Sequence, residues 1–474
     1  MSTEVVAKRP VALRILISVL LIGTGLKNLP AQDIYRSACR GNIQRVDSML
    51  LETGINIRDN RGRSLLHWAV ACKQKEVFRF LVDKGIEING TDDKNRTALH
   101  VAVQYNNTTF FNYLIDLQSN NDWQKEFGGS LLETAVLDRS KTMVENLLET
   151  GIDINSKNER GSTALEISKR IGADDISQYL ISRGADEKMV REPQPKGKYL
   201  GQEVPGMQSE MFSPNFISTE EDEFGSVFNK DGTEFYFGVD VGRRNEIRFS
   251  EMVDGQWTKP VTILTDDRYS YNDPFLSNDE NRLYFISSRA LDGKGAPKDI
   301  DLWYVDKTVE GWGEPINMGN TINTSGDEYY ISFTNDEKMY FSSNGHHRED
   351  TARTDHDILY AKFEGGEFQE PISLPEAVNS KGYEADVFVS PDESYLIFCS
   401  TRDGGFGQGD LYVSFKDSKG NWSKALNLGD RINTPDYEYC PFVSEDGKFL
   451  FFTSNQDIYW ISTKLLKDLK EKEE

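Results

Sequence analysis

The sequence predicts a multi-domain α plus β protein, with an all-α repeat solenoid followed in series by an all-β propeller. Three observations carry that prediction. Leu66, Leu99, Leu132 and Leu165 recur every 33 residues. Phe237, Phe285, Phe341, Phe398 and Phe452 end five similar hydrophobic strands spaced 48 to 57 residues apart. Between the arrays, Arg191-Glu192-Pro193-Gln194-Pro195-Lys196-Gly197-Lys198 interrupts both patterns with proline, glycine and charge. Fixed periods of this size mean stacked or radially arranged supersecondary units.

The 474 residues suffice for two or three cores, and a hydrophobic fraction of 38% suits the thin, continuous cores of repeat proteins. The net charge of −23 argues against nucleic acid or an anionic membrane surface as the main partner. At the N-terminus, Lys8, Arg9 and Arg14 precede or flank the apolar run Ile15 to Gly23, and Ala31 offers a small residue beyond it. The run is shorter than the ~20 residues of a membrane span, so residues 1–31 read as a signal peptide. A periplasmic or secreted protein, with no integral membrane span after cleavage, is the expectation. The four cysteines form no C-x-x-C pair, and free buried thiols are expected, with a Cys399–Cys440 bridge the alternative.

The first array, residues 33–188, opens its repeats with Ser64-Leu65-Leu66-His67, Thr97-Ala98-Leu99-His100, Ser130-Leu131-Leu132-Glu133 and Thr163-Ala164-Leu165-Glu166. Ala69, Ala102 and Ala135 recur where two helices must approach closely. A second helix follows in each repeat, as in Val77 to Val82 and Met143 to Leu148. Then comes a glycine turn, Gly85-Ile86-Glu87-Ile88-Asn89 or Gly151-Ile152-Asp153-Ile154-Asn155, suited to a left-handed helix terminus. This pattern resembles the ankyrin repeat, with about four repeats and a capping repeat over Ile34 to Gly54. The resemblance implies protein binding, and it implies that His67 and His100 are structural, bridging neighbouring repeats. Two repeats carry glutamate at that position. The repeat ending in Ser119-Asn120-Asn121-Asp122 lacks the usual glycine turn, which predicts a loosened or re-aimed hairpin there.

A linker is expected over 189–204, a propeller over 205–465 and a charged C-terminal tail over 466–474. Within the propeller, hydrophobic runs alternate with Asn, Asp and Gly turns. One repeat runs from strand Pro274–Ser277 through a turn to Arg282–Ser287, then to Asp301–Val305, and closes near Trp312–Gly319. Four short antiparallel strands per repeat make a propeller blade. The hairpins around Ser390-Pro391-Asp392 and Ser444-Glu445-Asp446-Gly447, with later strands such as Asp457-Ile458-Tyr459, resemble WD-like propeller repeats of the TolB type, found in bacterial secreted proteins. Repeats begin near Glu223, Tyr271, Glu328, Glu384 and Glu438. The last lacks a fourth strand, which Glu210 to Ile217 could supply. Five blades are expected, six being the alternative.

Candidate site residues fall in columns. Glu223, Glu328, Glu384 and Glu438 share one position, interrupted by Tyr271 with Asp273 close by. Carboxylates around one mouth of a channel would bind Ca²⁺ or another divalent cation, or a polar ligand; otherwise each caps a loop of its own blade. No other cofactor is expected. Arg289, Asn344, Arg402 and Asn455 form a second column that could offer donors to a carboxylate or sugar. Asp301, Asp357, Asp410 and Asp457 read as structural acceptors at loop-to-strand junctions. His346, His347 and His356 cluster in one acidic loop, a metal candidate whose alternative is a solvated loop. The chain has no G-x-S-x-G, H-E-x-x-H, Walker or dinucleotide signature.

The expected function is therefore an exported, non-enzymatic scaffold of the bacterial envelope. The ankyrin array would bind a protein partner, and the propeller a protein, peptide or glycan. The alternative is a secreted hydrolase or lyase acting on polysaccharide or peptidoglycan at the acidic mouth.

Overall fold

Each helix of the first array is short and apolar on one face, so it is stable only when stacked on neighbours. The computed structural model describes residues 30–118, 122–190, 194–242, 244–346 and 355–473. Of the expected signal peptide over 1–31, residues 1–29 lie outside the described residues and residues 30 and 31 begin the first helix. The chain divides into two compact units after residue 192. No helix among the described residues is long and apolar enough to cross a membrane.

The first unit is five helix pairs: α1 Pro30–Cys39 and α2 Ile43–Thr53, α3 Leu65–Ala71 and α4 Lys75–Asp83, α5 Ala98–Gln104 and α6 Thr108–Asp116, α7 Asp122–Leu137 and α8 Lys141–Glu149, α9 Ala164–Arg170 and α10 Asp174–Ser182. The four period-defining leucines are at most 3% exposed, and Ala69, Ala102 and Ala135 are fully buried. Burying each leucine is worth about 2 kcal/mol. Gly85 and Gly151 close α4 and α8 at φ of +82° and +93°, where an L side chain is strained.

Two expectations change here. In the third repeat the described residues are already helical from Asp122, where the other repeats still have their turn. There α7 runs for 16 residues and buries Trp123 and Phe127. Gly129 lets it pass the next repeat, since a Cβ there would sit 2.0 Å from the Lys157 carbonyl oxygen. Residues 119–121, part of the turn in question, lie outside the described residues. In addition, Cys39 and Cys72 are not free thiols but a disulfide joining the capping repeat to the next, with Cα atoms 5.1 Å apart. Their separation of 33 residues is one repeat period, so stacking sets equivalent positions side by side. Cys399 and Cys440 are free and buried, with no bridge between them.

The second unit is a five-bladed propeller of antiparallel sheets. The innermost strands are Asp222–Phe228, Tyr271–Leu276, Glu328–Phe333, Glu384–Val389 and Glu438–Val443. The phenylalanine column lies on the second strands and is at most 1% exposed. The fifth blade takes its outer strand from the start of the unit, Glu210–Met211, paired as Glu210↔Trp460 and Met211↔Tyr459. Phe212 follows that strand into a cluster with Phe228, Phe235, Phe451 and Trp460. This pairing ties the start of the unit to its last blade and so closes the ring.

The segment marked by composition as a linker packs against the first blade. Trp257 Nε1 donates to the Gly197 carbonyl at 2.8 Å, and Leu200 is buried. At the other end, Lys464–Glu473 forms a helix, α11, that buries Leu465 and Leu466 against the propeller core.

Candidate functional site

The candidate site is the axis of the propeller, where five equivalent strands converge. Each inner strand breaks register with its neighbour at the equivalent place, after Phe224, Asn272, Tyr329, Ala385 and Tyr439. The residue after each break is bulged, with positive φ: Gly225 at 52°, Asp273 at 52°, Tyr330 at 48°, Asp386 at 53° and Cys440 at 51°. Glycine, and to a lesser degree aspartate, tolerate this conformation, whereas tyrosine and cysteine adopt it at a cost of about 1–2 kcal/mol. The bulge re-aims one side chain per blade.

Contacts show where these side chains go. Cys440 Sγ is 3.3 Å from Asp273 Oδ1, although their blades are not neighbours in the ring. Tyr330 donates its hydroxyl to the Pro441 carbonyl at 2.9 Å. A Cβ on Gly225 would lie 2.8 Å from Asp273 Oδ1. Asp273, Asp386 and Cys440 are all buried, and one ligand atom from each lies within 4.8 Å of the others. Burial pushes the Asp273 carboxyl up to about 6. Burial, then the charge of Asp273, holds Asp386 well above the usual carboxylate range. The Cys440 thiol is likewise pushed up, first by burial and then by both aspartates.

The glutamate column lies two residues before this ring, and its carboxylates are committed to loops. Glu223, Glu328, Glu384 and Glu438 are all 0% exposed. Glu328 accepts from Thr324 N at 3.0 Å, Thr324 Oγ1 at 2.7 Å and Ser343 Oγ at 2.8 Å. Glu438 repeats this set with Thr434 and Ser454, and Glu384 with Ser380 and Ser400. Glu223 accepts from the backbone and hydroxyl of Thr219. The residue before each of three of these capping residues adds a second clamp. Asn323, Asn379 and Asn433 both accept from and donate to the backbone of Leu302, Ile358 and Leu411, on the preceding blade. The sequence signal for this joint is N-[TS]-x-x-x-E, visible at 323–328, 379–384 and 433–438. The glutamate column alone does not carry this signal, because the partners lie four and five residues upstream.

The remaining columns also tie loops. Arg289 donates to the Tyr271 hydroxyl at 3.1 Å. Arg402 reaches the Val378 carbonyl at 2.6 Å and Glu384 Oε1 at 3.2 Å. Asn344 Oδ1 accepts from Asp327 N, and Asn455 occupies a turn with φ of 49°. Asp301 accepts from Lys298 and Asn317, and Asp410 from Phe406 N, Gly407 N and Asn427. Asp457 is buried and Asp357 partly buried, each at the start of a third strand. His346 is buried with Nε2 2.6 Å from the Ile322 carbonyl, and His356 is buried in a stack 4.5 Å from Tyr329. Among the described residues neither histidine joins a cluster of metal-ligating groups. His347 lies outside the described residues.

In the first unit, His67 accepts from Ser64 N through Nδ1 and donates from Nε2 to the Arg96 carbonyl at 2.8 Å, one repeat on. His100 does the same between Thr97 N and Ser130 Oγ. Glu133, at the equivalent position, accepts from Asn158 of the next repeat at 2.7 Å. Glu166 closes a capping box with Thr163. Beyond these joints the array presents exposed hairpin tips at Asn60-Arg61, Asp93-Lys94-Asn95 and Glu159.

No curated protein matches the chain. Residues 34–125 and 99–191 match the family model described as Ankyrin repeats (3 copies), so the helical unit is an ankyrin repeat array.

Proposed function

We propose that this protein is an exported binding scaffold of the bacterial envelope. The ankyrin array docks a protein through its hairpin tips and first helices, and the TolB-type propeller presents a second binding surface to a protein, peptide or glycan. The observation that carries this reading is the ankyrin array itself. Its polar columns are spent on joining repeats, while charged tips at Arg61, Lys94 and Glu159 face solvent. Exposed charge on a rigid, repeated framework is the usual form of a protein-docking surface. Export is supported by the basic and apolar N-terminal pattern and by the Cys39–Cys72 disulfide, since such bonds persist in oxidising compartments.

The test is affinity capture with the full chain from its own cell envelope, beside the variant Arg61→Glu, Lys94→Glu. A stoichiometric protein held by the wild type and released by the tip variant supports docking through the array. Binding that survives the tip change, or no partner at all, refutes it. Protease accessibility in intact and permeabilised cells tests export separately.

A further inference from the structure

The bulge ring sets two carboxylates and a thiol together on the axis with no cation beside them among the described residues. Among the described residues Asp273 has one hydrogen-bond partner, Cys440. Asp386 is 8% exposed, points into the same cluster and accepts no hydrogen bond among the described residues. A buried carboxylate without a donor or counter-charge is costly, and natural proteins keep one chiefly where something else completes it. The backbone around it reinforces the point. The bulge holds Asp273, Asp386 and Cys440 in the left-handed region, and they arrive from three different blades. Packing alone would not require three chemically active side chains to meet at such positions.

We infer that Asp273, Asp386 and Cys440 bind a divalent transition metal, zinc by preference, on the propeller axis. A spacing within 4.8 Å lets small side-chain rotations bring all three atoms to the roughly 2.0–2.3 Å that zinc takes to oxygen and sulfur. The thiol selects zinc, cobalt or a similar ion over Ca²⁺, which wants six to eight oxygens. The other ring positions do not compete. The Tyr330 hydroxyl is engaged with Pro441, and Gly225 brings no side chain. Three protein ligands leave a fourth position for water or an exchangeable ligand. This site is separate from the ankyrin surface and does not depend on the scaffold reading.

The test uses the full-length protein, stripped with chelator and with the Cys39–Cys72 disulfide left oxidised. Co²⁺ is the spectroscopic probe and Zn²⁺ the competitor. The expected result is one Co²⁺ per chain with a thiolate-to-cobalt charge-transfer band, bleached by Zn²⁺. Cys440→Ala loses the band, and Cys399→Ala keeps it. Asp386→Asn stays folded, because it removes a buried like charge, yet its affinity falls by more than roughly 100-fold, the upper end of what even an outer-shell change costs. The inference is overturned if the wild type takes up no stoichiometric metal. It is also overturned if the band persists in Cys440→Ala, or if folded Asp386→Asn binds as tightly as wild type.

Discussion

Glu328→Gln tests the claim that the glutamate column is buried structure held at an electrostatic cost. The Glu328 carboxyl is pushed from 4.5 up to about 7, chiefly by burial. Three donors, Thr324 N, Thr324 Oγ1 and Ser343 Oγ, favour the anion but do not outweigh burial, and Asp301 adds repulsion. A carboxyl raised in the folded state contributes stability that is fully present below 4.5 and is lost as pH rises through about 7. Over that window the loss is about 3 kcal/mol. Glutamine keeps the shape and cannot ionise. Relative to wild type, Glu328→Gln therefore gains up to about 3 kcal/mol between pH of about 5 and about 8. Glu384 supplies the opposite sign at the same place in its blade. It pairs with Arg402 at 3.2 Å, so Glu384→Gln strands a guanidinium and costs roughly 3 kcal/mol, the low end for a broken buried pair. The assay is urea unfolding at the two pH values, followed by emission from Trp257, Trp303, Trp312, Trp422 and Trp460 and fitted for the propeller transition alone. The reasoning is refuted if Glu328→Gln and wild type run parallel in pH, or if the two variants shift in the same direction.

Reducing the Cys39–Cys72 disulfide, or replacing both cysteines with alanine, releases a loop of 33 residues. Loop-closure entropy then lowers the ankyrin unit by about 4 kcal/mol, read by far-ultraviolet dichroism, and leaves the propeller transition in place. Burial pushes His100 down from 6.5 to about 3. The ankyrin unit therefore loses stability as pH falls below 6.5, and His100→Gln, though weaker at neutral pH, has a flatter acid limb. Gly129→Ala drives a Cβ into the Lys157 carbonyl and destabilises the third repeat by about 3 kcal/mol, whereas Gly161→Ala meets no atom within 4 Å and costs only the strain of φ +77°, about 1–2 kcal/mol. Thermal melts of the two glycine variants should separate by several degrees, and equal melting temperatures would contradict the close approach.

The sequence by itself determined both architectures, because repeat periods are one-dimensional. A 33-residue leucine spacing can be satisfied only by stacking. Five four-stranded units with a missing last strand can be satisfied only by a ring that borrows one, which Glu210–Met211 does. The Cys39–Cys72 pair was legible in principle, since its separation equals the period. The glutamate joint was legible too, once Thr324 or Ser380 is read together with the glutamate four residues on. Tertiary structure alone decided the axis. Gly225, Asp273, Tyr330, Asp386 and Cys440 are of four residue types, so no column of like residues announces them. What they share is a bulge, a backbone property set by strand pairing, and only closure of the ring brings Asp273, Asp386 and Cys440 within reach of one another.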